Sequence, residues 1–258
     1  MYASDYFERN FLNIMNEVTF AAPEDVFVAL FITNPTDEAK GIEVKYEGYE
    51  RQKVAFTVPA LEEGNIRIRN AENISFPKSD TDAGTATYIA YYDSKTAGNM
   101  LAYSKLTEDL EIRAGEAPIL VKNEISIFCT GQLSRAYQKK LLNLFRGYSI
   151  EGIKPFIALF NGNAEEGGSE LLADNYQRVE VLFDTPKDNI SGQTVISNNT
   201  ELMFNRPTTD WGNWSYTILM DDESHGEPIF IYDRGGIKEL KKGHMPRVAK
   251  GDLKFAIN

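Results

Sequence analysis

The stretch GYERQKVAFTVP at residues 48–59 has a second copy in this chain, DNYQRVEVLFDTP at residues 174–186. Four residues of one copy match the other at one separation of 127 positions: Tyr49 with Tyr176, Arg51 with Arg178, Phe56 with Phe183, and Pro59 with Pro186. Four matches in four residue types at one separation indicate a duplication. In both copies apolar residues alternate with more polar ones before a proline, a pattern typical of a β-strand.

The duplication extends over most of the chain. The run Ala29-Leu30-Phe31 lies 129 positions before Ala158-Leu159-Phe160, and from Phe76 onward the separation is 128. The matches at 128 are Phe76 with Phe204, Tyr88 with Tyr216, Asp93 with Asp221, Gly98 with Gly226, Gly115 with Gly243, and Pro118 with Pro246. The separation between matched residues varies only from 127 to 129, which indicates single-residue insertions in loops. We therefore predict two domains, residues 1–130 and residues 131–258.

Each predicted domain begins with a helix. Ser4 is a candidate cap for a helix that runs to about Val18, and Ser134 opens the second one. About seven short strands follow each helix, with turn signals about every ten residues, which is typical of an antiparallel sandwich. The predicted fold class is therefore mainly β: two tandem antiparallel β-sandwich domains, each preceded by a short N-terminal α-helix. A small barrel is the alternative.

Composition narrows the function classes. The net charge of −11 argues against sequence-independent nucleic-acid binding, which needs clustered Lys and Arg, and against docking on an anionic membrane surface. No apolar run approaches the ~18 residues of a membrane span. The start of the sequence lacks the basic region of a signal peptide, so we expect synthesis in a reducing cytoplasm. Cys129 is the single cysteine, which excludes an intrachain disulfide.

Tyr49 and Arg51, with their counterparts Tyr176 and Arg178, are the candidate functional residues. Two positions apart on a strand, the members of each pair point to one face. One interpretation is structural: the arginine stacks on an aromatic ring or pairs with a carboxylate such as Asp93, and so holds two strands in register. The other is a contact with another subunit, because Tyr and Arg are favoured interface anchors.

Both tryptophans lie in one segment, residues 210–216. One interpretation makes Trp211 and Trp214 a stacking platform for a glycan, because an aromatic ring offers a large apolar face. The other places Trp214 in the core and leaves Trp211 partly exposed. The sequence leaves both interpretations open.

Catalysis and metal binding find little support in the sequence. His225 and His244 are the only histidines, and neither has a counterpart in the other half. No motif indicates two carboxylates held about 5–10 Å apart for acid–base work. We therefore predict no enzyme, no cofactor and no metal site. The acidic clusters lack a calcium-loop pattern and are interpreted as solvated loop carboxylates: Glu62 with Glu63, Asp80 with Asp82, and Asp221 with Asp222 and Glu223.

The motifs of the first half occur in an order that resembles a known family. They are Ala29-Leu30-Phe31, Gly48-Tyr49-Glu50-Arg51-Gln52, Ile74-Ser75-Phe76-Pro77, Tyr92-Asp93, Gly98-Asn99-Met100-Leu101 and Gly115. This order is similar to the tail-fibre-type domain of structural proteins of tailed bacteriophages. The second half is a degenerate copy. It keeps Ala158-Leu159-Phe160, Tyr176-Gln177-Arg178 and Phe204, but has Asn205 in place of Pro77 and Glu227-Pro228 in place of Asn99-Met100.

The resemblance implies a virion structural protein, a tail, neck or collar component of fibre type that assembles with other virion proteins. It carries over no catalytic residue. It also implies a symmetric homo-oligomer, a trimer or hexamer. Three such chains with two domains each would form a pseudo-six-fold ring, and six chains a pseudo-twelve-fold one. Two alternatives stay open, a capsid decoration protein and a module that binds host-surface glycans through Trp211 and Trp214.

Overall fold

A computed structural model describes residues 2–257 of the chain and shows a mainly β protein with one helix at the start of each half. Helix α1 spans Asp5–Asn13 and helix α2 spans Arg135–Leu144. The hydroxyl oxygens of Ser4 and Ser134 cap these helices, each accepting the N–H group three residues ahead at 3.2 Å. Both predicted helix starts are confirmed.

The strands of the two halves are short apart from two long ones in each. In the first half they are β1 (Tyr2–Ala3), β2 (Val26–Phe31), β3 (Gln52–Val54), β4 (Ala60–Glu62), β5 (Asn65–Arg69), β6 (Ile74–Ser75), β7 (Gly84–Tyr92), β8 (Met100–Ile112), β9 (Ile119–Leu120) and β10 (Ser126–Phe128). In the second half they are β11 (Phe156–Asn161), β12 (Ser169–Glu170), β13 (Val179–Glu180), β14 (Lys187–Asp188), β15 (Thr194–Ser197), β16 (Leu202–Met203), β17 (Gly212–Met220), β18 (Pro228–Leu240), β19 (Arg247–Val248) and β20 (Lys254–Phe255).

These strands form small antiparallel sheets. The first half has a five-stranded sheet in the order β1-β8-β7-β2-β3, a three-stranded sheet β10-β5-β4, and the pair β6-β9. The second half has β12-β11-β17-β18, with β13 also paired to β11, then β14-β15-β20 and the pair β16-β19. The prediction of a mainly β, antiparallel protein is confirmed. The finer prediction of two tandem β-sandwich domains is not matched, because residues 2–257 form six small sheets instead of two pairs of large facing sheets.

The duplication is visible strand by strand. At a separation of 128 positions, β6, β7, β8 and β9 have the same bounds as β16, β17, β18 and β19. The long hairpins also share their irregularities, because the register of β7 with β8 shifts between Ala86 and Tyr88, and that of β17 with β18 between Trp214 and Tyr216. Two stretches of different sequence thus adopt one backbone, bulge included.

The predicted strand from Tyr49 to Pro59 is wrong in extent. Only Gln52–Val54 pairs as a strand, against β2, and Phe56 forms one isolated bridge with Asn70. Tyr49 lies just after a turn that includes Gly48, whose φ of 77° is in the left-handed region. The alternation of apolar residues is real, but the turn and the early end of the pairing shorten the strand.

Each helix packs on both halves. Helix α1 contacts β8 of its own half and β15 of the second half, whereas α2 contacts β18 of its own half and β5 and β10 of the first half. Just after α2, the ring of Phe145 lies 5.4 Å from that of Phe7 and 5.8 Å from that of Phe56. One continuous cluster of buried apolar side chains therefore runs through both halves.

The halves meet through equivalent residues. Phe20 and Ile150, which are 130 positions apart, form an antiparallel bridge in which each N–H donates to the other's carbonyl at 2.8 and 3.0 Å. Beside it the N–H of Ala22 donates to Ser149 Oγ at 3.0 Å, and the N–H of its counterpart Gly152 donates to Thr19 Oγ1 at 3.4 Å. Such reciprocity is the signature of an approximate two-fold axis.

We call this contact between residues 19–22 and residues 149–152 the seam. Next to it, one proline breaks the symmetry. The N–H of Ile153 donates to the carbonyl of Ile14 at 2.8 Å. The counterpart of Ile153 is Pro23, which has no N–H group to make the equivalent bond. An isologous contact within the chain also differs from the equal rotational steps of a pseudo-six-fold ring, in which non-equivalent surfaces of neighbouring domains would meet. The pseudo-six-fold ring concerns assembled copies of the chain and stays a prediction.

Among residues 2–257, neither α1 nor α2 has the length and hydropathy needed to cross a membrane.

Candidate functional site

The two copies of the Tyr-x-Arg motif build the same cluster of hydrogen bonds, here called the arginine clamp and defined in the first half by Glu43, Tyr49, Arg51 and Tyr92. Arg51 Nε donates to Glu43 Oε1 at 3.0 Å, and its Nη2 donates to Glu43 Oε2 at 2.9 Å. This is the bidentate geometry in which a guanidinium binds a carboxylate most strongly. The central carbon of the Arg51 guanidinium also lies over the ring of Tyr92, 3.4 Å from its centroid.

Tyr49 joins the clamp to the sheet. Its hydroxyl oxygen accepts the N–H of Leu30 on β2 at 3.0 Å, and its O–H lies 3.4 Å from Glu43 Oε1. Its ring stacks parallel to that of Phe76, with 6.0 Å between centroids. Burial raises the pKa of the Tyr49 hydroxyl, so it stays a neutral hydrogen-bonding group. Burial alone would lower the pKa of Arg51, but its hydrogen bonds to Glu43, together with the negative charge of that carboxylate and the neighbouring tyrosines, raise it.

The second half repeats the clamp with Glu170, Tyr176 and Arg178. Arg178 Nε and Nη2 donate to the two carboxylate oxygens of Glu170 at 2.9 and 2.7 Å. The Tyr176 hydroxyl accepts the N–H of Leu159 at 2.9 Å and donates to Glu170 Oε1 at 3.0 Å. Met220 stands where the first half has Tyr92, so the stacking on an aromatic ring is absent from this copy of the clamp.

Each clamp reaches across to a turn between two long strands. Arg51 Nη1 donates to the carbonyl of Ala97 at 2.7 Å, in the turn between β7 and β8. Arg178 Nη1 donates to the carbonyls of Asp222 and His225 at 2.7 and 2.5 Å, in the turn between β17 and β18. The arginine therefore joins a side strand, a carboxylate and a distant turn, and this fixes the relative positions of three segments.

The turns themselves are built alike. Asp93 Oδ1 accepts the N–H of Asn99 at 2.7 Å, and Asp221 Oδ1 accepts the N–H of Glu227 at 2.6 Å. Gly98 and Gly226 precede these residues with φ of 73° and 76°, a region that favours glycine, and a Cβ on either would overlap the aspartate. The matched glycines and aspartates are thus explained by turn geometry.

The structural interpretation of Tyr49 and Arg51 matches the geometry, with a different carboxylate. The partner of Arg51 is Glu43, and Asp93 instead closes the turn that Arg51 reaches. The side chains of Arg51 and Arg178 are only 12 % and 6 % exposed. Their guanidinium groups are used within their own half, and neither clamp holds an activated nucleophile or an acid–base pair. The clamp is therefore suited to holding strands and turns in place.

Sequence reasoning missed the two glutamates. Glu43 and Glu170 are 127 positions apart, the separation of the arginines that they bind, so this match was available in the sequence. It also missed the buried pair Asn70 and Asn198, which are 128 positions apart. Each amide bridges the backbone of its half: Nδ2 of Asn70 donates to Val121 O at 2.8 Å and Oδ1 accepts Ile125 N–H at 2.9 Å.

The tryptophans are less accessible than a sugar platform requires. Trp211 and Trp214 are only 5 % and 7 % exposed. Trp211 meets the ring of Tyr176 edge to face and donates its Nε1–H to Asp174 O at 3.2 Å, while Arg234 covers the ring of Trp214 at 4.1 Å. The expectation that Trp211 is partly exposed is wrong, and neither indole presents an open face for stacking.

The acidic clusters are engaged in local contacts. Asp82 Oδ1 accepts the N–H of Ala114, and Asp222 Oδ1 accepts the N–H groups of Ser224 and His225. Glu62 pairs with Arg69 at 3.0 Å. Over the described range, residues 2–257, no group of three or more His, Cys, Asp or Glu side chains is arranged to hold a metal ion.

These features define a duplicated, mainly β structural protein. Its arginine clamp, which recurs in both halves, holds strands and turns in place. The chain belongs to the family described as podophage GP4 fiber I protein gp80, whose model matches residues 2–127 and again residues 132–256. The family match thus finds the same duplication as the sequence repeat and the strand bounds, and the predicted tandem tail-fibre-type domain is confirmed. Among curated proteins, none matches the chain.

Proposed function

We propose that this protein is an assembled structural part of a tailed bacteriophage particle, a fibre-type component of the tail, neck or collar. Membership of a phage fibre family supports a structural role in the virion. The observation that carries the finer proposal is the second arginine clamp. Glu170, Tyr176 and Arg178 keep the geometry of the first copy although much of the surrounding sequence has changed, which fits a role that depends on shape.

Assembly, rather than catalysis, is the proposed mode of action. The clamps hold the turns at residues 93–98 and 221–226, and most residues of both turns are exposed. We assign Tyr49, Arg51, Tyr176 and Arg178 an indirect part in subunit contact, since they support surfaces that a neighbour can touch. The proposed partners are other virion proteins and further copies of this chain, in a trimer or hexamer. Each half is proposed to be one repeat of the duplicated domain, with the boundary near residues 130–131.

Purified particles test this proposal. Mass spectrometry of gradient-purified particles is expected to detect the chain, and imaging with a labelled antibody is expected to place it at the tail, neck or collar in a copy number divisible by three. Label spread over the capsid would support a decoration protein instead. Absence of the chain from particles that are infectious and complete would contradict any structural role in the virion.

A glycan array tests the remaining alternative. Because Trp211 and Trp214 are buried, we expect the purified chain to bind no glycan through them. Binding that disappears in Trp211→Ala, while the far-ultraviolet circular dichroism of the variant matches that of the parent, would favour the host-surface glycan module.

A further inference from the structure

The two halves present equivalent surfaces of opposite charge. The first, called here the acidic end, consists of residues 78–82 and 105–119. The second, called the basic end, consists of residues 206–210 and 233–247, each 128 positions further along. Both comprise a loop before the first long strand of a hairpin, most of its second long strand and the turn that follows it.

The backbone of the two ends is the same. The N–H of Ala114 donates to Asp82 Oδ1 at 2.8 Å, and the N–H of Lys242 donates to Asp210 Oδ1 at 2.8 Å. The N–H of Gly115 donates to Ser79 O at 2.8 Å, and that of its counterpart Gly243 donates to Pro207 O at 2.9 Å. The two ends therefore share one backbone arrangement, here called the frame, and differ in the side chains that it carries.

The charges on this frame have opposite signs. The acidic end has three basic and six acidic residues, a net charge of −3, and the basic end has six basic and three acidic residues, a net charge of +3. The acidic residues of the first are Asp80, Asp82, Glu108, Asp109, Glu111 and Glu116. The basic residues of the second are Arg206, Arg234, Lys238, Lys241, Lys242 and Arg247. A basic surface stands out in a chain of net charge −11.

Much of this charge is exposed and not neutralised locally. Within residues 2–257, no ion pair joins Arg206, Lys238 or Lys242 to a carboxylate, and none joins Asp80, Glu108, Asp109 or Glu116 to a basic group. Of these residues, all seven are exposed. Unpaired surface charge of one sign repels its like and attracts its opposite over about 8–10 Å at physiological salt.

Apolar side chains lie within the charged surfaces. Ile237 is 70 % exposed and Met245 is 41 % exposed at the basic end, and Ile119 is 44 % exposed at the acidic end. Ile237 follows Gly235 and Gly236 where β18 leaves its register with β17, so it stands on an outward bulge. Interfaces between proteins commonly combine an apolar centre with a charged rim.

We propose that the acidic end of one copy binds the basic end of a second copy of this chain. The partner is a second copy because every copy carries both surfaces on one shared frame, whereas a contact between two like ends would be repulsive. The contact is heterologous, so it propagates, and copies joined in this way form a closed ring or an open filament. This inference rests on the proposed assembly function and names the surfaces that carry it.

Sedimentation velocity of the full chain at low ionic strength tests the contact with three pairs of substitutions. Lys241→Glu with Lys242→Glu gives a chain with two acidic ends, and Glu108→Lys with Asp109→Lys gives a chain with two basic ends. We expect the parent to self-associate, and more weakly as salt is raised. Each double variant alone is expected to associate at least about tenfold more weakly. An equimolar mixture of the two is expected to recover association, because their ends are again complementary.

The matched control is Lys45→Glu with Lys122→Glu, which makes the same change in charge at exposed residues outside both ends and is expected to associate as the parent does. Three results would overturn the proposal: a parent that stays monomeric at low salt, double variants that associate like the parent, or a mixture that fails to recover association. Binding of the parent to a nucleic acid or another virion protein through the basic end, without self-association, would also overturn it. Detection of the chain in purified particles is independent, so the virion role survives such a failure.

Discussion

At the scale of single residues, the arginine clamp is held together by a guanidinium and a carboxylate of opposite charge that meet in bidentate geometry. Only 6 % of the Arg178 side chain is exposed, and its guanidinium donates to both carboxylate oxygens of Glu170. Removing one partner of such a pair leaves a buried charge unpaired, which costs more than the pair itself contributes. This explains why a three-residue motif stays intact where the rest of the second copy has drifted.

We predict that Arg178→Ala lowers the free energy of unfolding by about 3 kcal/mol, because the Glu170 carboxylate, with only 17 % of its side chain exposed, would lose its cation. Arg178→Lys should lose less, although an ammonium group cannot reproduce the bidentate contact. The double variant Arg178→Met with Glu170→Leu should cost less than Arg178→Ala. Urea denaturation gives all three values, and a loss below about 0.5 kcal/mol for Arg178→Ala would show that the clamp is not needed for stability.

Glu8 is a second residue whose environment decides its chemistry. It lies on α1 against the second half, where its Oε2 accepts the N–H of Thr194 at 3.3 Å. Burial, helped by the nearby carboxylates of Asp37 and Asp5, raises the pKa of Glu8 to about 7, from an ordinary value of 4.5. Its counterpart in the second half is Gln138, which carries no charge.

The raised pKa predicts the direction of a pH effect. Between about pH 4.5 and 7, Glu8 carries a proton in the folded state but not in the unfolded state. The stability that this proton contributes is therefore fully present below pH 4.5 and is lost as the pH rises to about 7. Glu8→Gln should therefore be more stable than the parent at pH 8 by about 1–2 kcal/mol, after allowance for solvent screening, and equal to it near pH 4. Chemical denaturation across pH measures the difference, and equal curves at pH 8 would rule the effect out.

At the scale of elements, the seam between the halves fixes one glycine. A Cβ on Gly152 would overlap the carbonyl group of Glu17, and the backbone there belongs to the strand-like contact of Phe20 with Ile150. The backbone of Gly152 and the carbonyl of Glu17 have no room to move apart, because the neighbouring N–H and C=O groups are hydrogen-bonded across the seam. The seam therefore accepts no side chain at this position.

We predict that Gly152→Ala lowers the melting temperature clearly, with a loss of stability of about 1–3 kcal/mol, the usual cost of forced overpacking. Gly236→Ala is the matched control, because a Cβ there meets no atom within 4 Å. Differential scanning calorimetry of both variants tests the comparison. Equal melting temperatures for the two variants would mean that the seam opens at little cost.

At the scale of the whole molecule, each helix packs on both halves, and this makes the two halves depend on each other for stability. Phe145 from the second half contacts Phe56 and Tyr91 of the first, and α1 contacts β15 of the second half. The apolar cluster has no break at the predicted boundary near residue 130. A cut there would expose the faces of both helices to water.

We predict a single cooperative unfolding transition. Both tryptophans lie in the second half, so their fluorescence reports that half, whereas far-ultraviolet circular dichroism reports the whole chain. The two signals should change together in urea. Residues 1–130 and 131–258 expressed separately should each be unfolded or aggregate. Two separated transitions, or a stable isolated half, would show that the halves fold independently.

The sequence by itself determined the duplication, the two capped helices, the mainly β class and the importance of Tyr49, Arg51 and their counterparts. These follow from periodicity, capping residues and a constant separation, all of which are local or repeated along the chain. The tertiary structure decided the partner of Arg51, the burial of both tryptophans and the reciprocal seam between the halves. Those depend on which distant segments meet, such as Glu43 with Arg51 or Phe20 with Ile150, and no local pattern of residues encodes such a meeting.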